Sequence, residues 1–248
     1  HPMQWLVTGI NAMAMFKTEN YRNDCMNFIA QIPEVVAAIF RIRNGWGDVI
    51  TSKPELGYME NFTHMLGAPG AHKNLKKLMS IFNVLHFDHG GGNLSTLVGK
   101  AVASGHEHVY GSLIAAMCAL DGPLHGRANQ ECLAFIDMVL EKVPNPEDED
   151  QLEAFIDNYF NNGGKIFGFG HAVLRKQDPR ATVQYALGDE LGIDTPHFKM
   201  AKALRKVATK VLKKNPKVSN PYPNVDAVSG SLLKACGLDD ENYYTVLF

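Results

Sequence analysis

The chain is poor in several features that would simplify its reading. Its 248 residues hold only four cysteines, Cys25, Cys118, Cys132 and Cys236, with no CxxC pair and no ladder of spacings. That pattern argues against a disulfide framework and predicts reduced thiols in an intracellular protein. Positive charge is not in excess either. A net charge of −2 gives no electrostatic footprint for nucleic acid or a membrane surface. The longest uninterrupted apolar run falls far short of a membrane span. No signal or transit peptide is visible. Strand signals are few, and no alternating run lasts long. No strong internal repeat appears, and low complexity is confined to the acidic loop VPNPEDED at 143–150.

Helix periodicity fills most of what remains. Met3, Leu6, Val7, Ile10, Met13 and Ala14 recur near a 3.6-residue period, and a similar run from 24 to 43 stops at Asn44-Gly45. Leu75, Leu78, Met79, Phe82 and Leu85 share one face. VYGSLIAAMCAL (109–120) is apolar nearly all round and predicts a buried helix that ends at Gly122-Pro123. RANQECLAFIDMVLEK and DEDQLEAFIDNYFNN follow, the second closed by Gly163-Gly164. TPHFKMAKALRKVATKVLKK opens with a Thr cap and a first-position Pro. The fold class is therefore all-α. A hydrophobic share of 46% is enough for one large core or two smaller ones. The basic run 202–217 is either a solvated helix face or an anion-facing surface. A first residue of His and an apolar, aromatic end, NYYTVLF, predict that the chain belongs to a longer polypeptide.

Four polar, glycine-punctuated stretches lie at helix junctions and carry the chemistry. In DGPLHGRANQ (121–130), a turn and a following helix place His125 near a helix N-terminus. The positive end of the dipole disfavours imidazolium there, so a neutral ring could donate a hydrogen bond to a carbonyl oxygen. A capping or packing histidine is the plainer alternative. In FGFGHAVLRKQDPRA (167–181), Gly168 and Gly170 permit close backbone approach and His171 follows. Asp178-Pro179 reads as a cap and first-turn Pro, and Arg175 and Arg180 are suited to carboxylate or phosphate. LHFDHGGGN (85–93) places His86 and His89 three apart around Asp88, a weak invitation to a metal; its glycines favour a helix break beside a ligand instead. In NPYPNVDAVSG (220–230), Asp226 is either a helix cap or a general base on a stiff turn.

One reaction unites these stretches. Taking a proton from a thioester methyl group needs a carboxylate on one side and a donor to the carbonyl oxygen on the other. The carbon nucleophile then needs a ketone polarised by a second donor, and an anionic ketoacid needs Arg and His around its carboxylates. Asp226, His125, His171 and Arg180 match in type.

The chain resembles the citrate synthase family. HFDHGGGN, GPLHGRANQE, GFGHAVLRKQDPR, PNVDAVSG and NYYTVLF stand in the family's order and spacing, and HPM and NFTHMLG (61–67) extend the likeness across nearly the whole chain. GHAVLRK with DPR resembles the branch that holds the mitochondrial enzymes and some bacterial ones. The resemblance implies an all-helical fold with a large domain (1–127 and 232–248) and a smaller mobile domain (128–231) that closes over substrate. It implies an acyltransferase of the citrate (Si)-synthase type, active in the tricarboxylic acid cycle as a homodimer. The compartment would be a bacterial cytoplasm or a mitochondrial matrix. Acetyl-CoA would be a cosubstrate, with no permanently bound cofactor and no metal. By motif match, His125 would stabilise the enol of acetyl-CoA, Asp226 would remove the methyl proton and His171 would polarise the oxaloacetate ketone. His89, Arg180, His86 and Asn93 would bind oxaloacetate or citrate. Lys165, Ile166, Phe167, Gly168, Arg175 and Asn224 would line the coenzyme A site.

Two positions depart from the family's usual pattern: Gly90 stands for a Glu in DHEGGN and Val228 for the His of NVDAHSG. Both could reshape the pocket and thus the choice of acyl group. Family chains also run past VLF into a segment bearing citrate-binding arginines and begin with a longer helical region. Three other readings follow: the same chemistry on propionyl-CoA giving 2-methylcitrate, a truncated non-catalytic structural paralogue, and a metal-dependent hydrolase built on His86, Asp88 and His89.

Overall fold

The computed structural model describes residues 1–87, 90, 92–171 and 173–248. Asp88, His89, Gly91 and Ala172 lie outside the described residues, so the readings placed on His89 and Asp88 go no further in structural terms. Among the described residues the chain is helical, with eleven α-helices, 3₁₀ turns and no named strand. It divides into two compact units: residues 1–127 with 242–248, and residues 128–241.

The first unit holds α1 (Pro2–Met13), α2 (Tyr21–Asn44), α3 (Tyr58–Leu66), α4 (Leu75–His86), α5 (Leu94–Ala103) and α6 (Val109–Leu120). Local chemistry sets the ends of α2. Asn20 accepts from Arg22 N–H at 3.0 Å, and Gly45 closes the helix in the left-handed region at φ 66°. Inside the unit, Arg41 is buried and spends its guanidinium on backbone. It donates to the carbonyls of Asp48 (2.6 Å), Trp46 (2.7 Å), Leu66 (3.1 Å) and Gly67 (3.3 Å). One side chain thereby satisfies the carbonyls of the α2–α3 connection and of the end of α3. The aromatic segment at the chain's end is packed: Tyr243, Tyr244, Thr245 and Val246 are buried, and Phe248 meets Phe82 and His86 at 5.3 and 4.8 Å.

Two expectations need correction here. By length and composition, α2 could cross a membrane, with a mean hydropathy of 1.4 over an 18-residue window. Asn27, Gln31, Pro33 and Glu34 break its uninterrupted apolar runs, so run length alone missed it. Asp24 and Arg41 are nevertheless buried within the unit, each hydrogen-bonded to backbone, as befits a core helix. Helix α6 is also less buried than its all-round apolarity predicts. Only Tyr110, Ala116 and Leu120 are buried, and Cys118 is exposed. Its neighbour α5 buries only Ser95, although a Cβ on Gly99 would lie 3.3 Å from Ala116 Cβ, which shows how closely the pair packs.

The second unit holds α7 (Ala128–Lys142), α8 (Glu149–Asn161), α9 (Pro179–Glu190), α10 (Pro196–Lys213) and α11 (Asp226–Ala235). Helix α10 opens on Thr195, whose Oγ1 accepts from Phe198 N–H at 3.3 Å, followed by Pro196. It packs against α7, α8 and α11, while α9 lies on α11. Val139, Leu152, Ile156, Phe198, Met200, Val228 and Leu232 are fully enclosed. Much of the basic run turns out to be a solvated face. Lys206 pairs with Glu149 at 2.6 Å, and Lys210 and Lys214 both pair with Glu153, so α8 neutralises much of the charge that an anion would seek.

Replacing Arg41 with Met should strand the carbonyls it serves and lower stability by about 3 kcal/mol. A urea midpoint unchanged from wild type would contradict this account of the α2–α3 connection.

Candidate active site

Two loops of the second unit are laced together by backbone. Phe169 and Pro223 form an isolated antiparallel bridge. Gly170 N–H donates to Tyr222 O at 2.9 Å, Asn224 N–H to Gly168 O at 2.9 Å, and Asp178 N–H to Pro223 O at 3.1 Å. The prolines of NPYPN keep that segment extended enough to pair. Asn224 completes the lacing, giving its side-chain amide to Gly170 O and accepting Asp226 N–H, both at 2.9 Å. Gly168 is required by both conformation and space. Its φ is +81°, and a Cβ there would lie 2.7 Å from Ala227 Cα and from Cys132 Sγ.

This lacing fixes Asp226. It is the first residue of α11 and does not cap it; the cap position is Val225, which makes no side-chain bond, and Asn224 takes that role for the Asp226 N–H. The carboxyl is buried, and burial pushes its pKa from 3.8 up to about 7. The Arg180 charge and a hydrogen bond from Asn129 pull the other way, while Asp178 adds to the rise. A carboxylate poised near neutrality has the strength a general base needs.

His171 sits on the same lacing. Its Nδ1 accepts the N–H groups of Val173 and Leu174, both at 3.0 Å. The neutral ring therefore carries its proton on Nε2, as a hydrogen-bond donor. Partial burial lowers its pKa, and Arg180 and Arg175 add to this against the pull of Asp178. Arg180 is forked onto Asp178: Nη2 to Oδ2 at 2.7 Å and Nε to Oδ1 at 3.1 Å. Burial pushes the Asp178 carboxyl up, yet the Arg180 hydrogen bonds and charge prevail and hold it below its ordinary value. Asp178 also caps α9 through Arg180 N–H. Sequence reading assigned the cap and missed the fork, because spacing alone does not show which way a guanidinium folds.

The remaining residues assigned to coenzyme A are divided. Lys165 is exposed, Ile166 is buried in the core, and Phe167 gives its carbonyl to Cys132 Sγ at 3.6 Å. Arg175 bonds the carbonyls of His171 and Leu174, at 3.2 and 2.9 Å.

In the first unit His125 lies in a turn, three residues before α7 begins. Its Nε2 accepts Ser95 N–H at 3.2 Å and lies 3.0 Å from Ser95 Oγ. The Ser95 hydroxyl donates instead to Asn93 Oδ1 at 2.8 Å. Nε2 is thus an acceptor, and the neutral ring holds its proton on Nδ1. Ser95 carried no recognisable signal in sequence beyond following an Asn. Asn93 is the cap of α5, accepting Thr96 N–H at 2.9 Å and donating to Gly90 O at 2.8 Å. His86 bonds Phe82 O through Nδ1 at 2.7 Å and packs against Phe82 and Phe248. His108 caps α6 by accepting Gly111 N–H at 2.9 Å. Among the described residues no three His, Cys, Asp or Glu side chains group to hold a metal ion.

The arrangement offers a near-neutral carboxylate, two imidazoles of defined tautomer and an oriented guanidinium. Comparison with known proteins gives these groups a context. The family model for "Citrate synthase, C-terminal domain" matches residues 1–248. The chain is 39% identical to citrate synthase 4, mitochondrial, of Arabidopsis thaliana, over 100% of this chain and 55% of that protein. It is 37% identical to the mitochondrial citrate synthase of Citrus maxima, over the same shares of 100% and 55%. It therefore spans about half the length of these curated relatives. Among solved structures, citrate synthase from Thermoplasma acidophilum, in a ternary complex with carboxymethyl coenzyme A and oxaloacetate, matches with a TM-score of 0.84 at 26% identity. That match covers 99% of this chain and 64% of the other. The enzyme from Thermotoga maritima matches with a TM-score of 0.81 at 27% identity, over 100% and 63% of the two chains.

Two outcomes follow from the buried carboxyl. A folded-state pKa of about 7 against an ordinary 3.8 means the native state binds the proton more tightly. Stability should therefore fall as pH rises from about 4 through about 7. Asp226→Asn should flatten that fall and be more stable at pH 8 by up to about 4 kcal/mol; equal slopes in urea titrations would refute the burial argument. Gly168→Ala should push on the first turn of α11 and cost about 2 kcal/mol or more, from strain and overlap together. Wild-type thermal stability in that variant would show that the loops do not hold α11 in place.

Proposed function

The chain is a member of the citrate synthase family, and from that membership we propose that the polypeptide carrying it condenses acetyl-CoA with oxaloacetate and hydrolyses the citryl thioester to citrate and CoA. The observation that carries the proposal is the buried Asp226, titrating near neutrality beside a laced pair of loops. In this reading Asp226 takes a proton from the thioester methyl group. The Nδ1–H of His125 donates to the thioester oxygen as charge builds there, its tautomer set by Ser95. The enol carbon then attacks the ketone of oxaloacetate, whose oxygen receives a hydrogen bond from His171 Nε2–H. Arg180, held by Asp178 through Nε and Nη2, presents Nη1 to a substrate carboxylate. His89, Asn93 and His86 are assigned to the oxaloacetate end, and Lys165 to Gly168, Arg175 and Asn224 to coenzyme A, by motif match alone. The reaction takes acetyl-CoA as cosubstrate and calls for no resident cofactor.

We extend the proposal to a homodimer formed through the first unit. Met26 and Ile29 on α2 and Leu94 and Leu97 on α5 are each at least half exposed, and α6 is apolar yet under-buried. Apolar helices left open in this way mark an interaction surface. The named mitochondrial relatives favour a mitochondrial-type enzyme.

The test is oxaloacetate-dependent release of free thiol from acetyl-CoA and from propionyl-CoA, using the full polypeptide that carries this chain. Release should favour acetyl-CoA and drop at least about 100-fold in Asp226→Asn. The rate should rise with pH through about 7 as the carboxyl ionises. A preference for propionyl-CoA would make the product 2-methylcitrate. No release from a folded dimeric protein would leave the non-catalytic paralogue standing.

A further inference from the structure

The backbone fixes where Asp226 starts but not how its carboxyl turns. The lacing holds the Asp226 N–H and the first turn of α11, leaving the side-chain torsions to neighbouring groups. The one that reaches it from another helix with a neutral side chain is Asn129, in the first turn of α7. Asn129 is fully enclosed, as is Ser229. Its Nδ2 donates to Ser229 Oγ in a short hydrogen bond. Ser229 stands three residues after Asp226, one turn along the same face of α11. The Asn129 side chain also hydrogen-bonds the Asp226 carboxyl. One amide thus bridges the base and an anchor on the same helix. Its Oδ1 is buried and accepts no hydrogen bond from any described residue, which is a costly state for a carbonyl.

A side-chain amide is a donor at one end and an acceptor at the other, and a half turn about its last torsion exchanges them. An ionised carboxylate needs a donor facing it. A carboxylic acid that has just taken up a proton needs an acceptor for its O–H. The Ser229 hydroxyl can accept from the NH₂ in the first state and donate to Oδ1 in the second. We propose that Asn129, anchored by Ser229, is the positioning residue of Asp226, presenting its NH₂ to the carboxylate before proton transfer and its carbonyl to the acid afterwards. Asn129 touches no reacting atom in this scheme. It keeps the base in one orientation through both of its protonation states, and its unsatisfied oxygen in the ionised state is the acceptor the acid will use. The inference rests on the assignment of Asp226 as the base.

The test reads the carboxyl itself. Protein labelled with [γ-¹³C]aspartate is titrated by NMR, with the Asp226 signal assigned from Asp226→Asn. Asn129→Ala should raise the Asp226 pKa by about one to two pH units, because the ionised form loses its donor. Ser229→Ala, which keeps the amide but frees it, should move it the same way by less. In kinetics on the full polypeptide, kcat should fall about 10- to 100-fold with KM for the thioester nearly unchanged. The pH midpoint of kcat should rise by the interval seen in the NMR titration, which a merely structural role would not produce. Should Asn129→Ala fail to fold, the isosteric Asn129→Asp serves; a second carboxyl there should raise the titration of the pair. A folded variant with Asp226 pKa and kcat midpoint both unmoved overturns the inference. The NMR shift without thiol release by wild type would sustain the clamp and remove the condensation reading.

Discussion

The burial of one carboxyl group is the constraint on which the rest of the second unit depends. A carboxylate in an apolar interior is costly, and the chain meets that cost without removing the group. Asp226 is placed at the first turn of α11, where the helix dipole favours negative charge. Arg180 supplies cationic charge from α9, and Asn129 supplies a hydrogen bond from α7. These favour ionisation, and burial opposes it more strongly. The balance falls near neutral pH, where small changes in surroundings decide whether the group holds a proton.

The loops around it exist to keep that balance. The Phe169–Pro223 bridge, the Asn224 bonds and the tight seat of Gly168 against Ala227 hold the start of α11 against two segments with little regular structure of their own. The same lacing orients His171 through two backbone N–H groups, and its neighbour Asp178 orients Arg180. His125 is set by one backbone N–H from Ser95. In each case an acceptor bond fixes which ring nitrogen carries the proton. The geometry therefore chooses donor atoms before any ligand arrives, which is the form that electrostatic preorganisation takes.

Much of this was legible in sequence, and what was missed has physical reasons. Helix periodicity and caps located α2, α4, α7, α8 and α10, because Asn20, Gly45 and Thr195 with Pro196 do their capping locally. Helices α3 and α5 gave no clear period; α5 is short and uniformly apolar, and its single buried residue is Ser95. Asp226 was readable only as a choice between cap and base. The structure resolves its local role by giving the capping bond to Asn224. The fork between Arg180 and Asp178 and the bridge from Asn129 to Ser229 were not readable, since pairing across 100 residues or by a side-chain bend leaves no spacing signal. Family likeness named the stretches; their hydrogen bonds had to be seen.

The most direct test of the central claim is loss of deuterium from the methyl group of [²H₃]acetyl-CoA into water. It would be measured between pH 5 and 8 on the full polypeptide with a non-condensing analogue of oxaloacetate, for wild type and Asp226→Asn. The account predicts wash-out that rises with pH through about 7 and disappears in the variant. Wash-out that persists in Asp226→Asn, or that ignores pH across this range, would show that another group removes the proton.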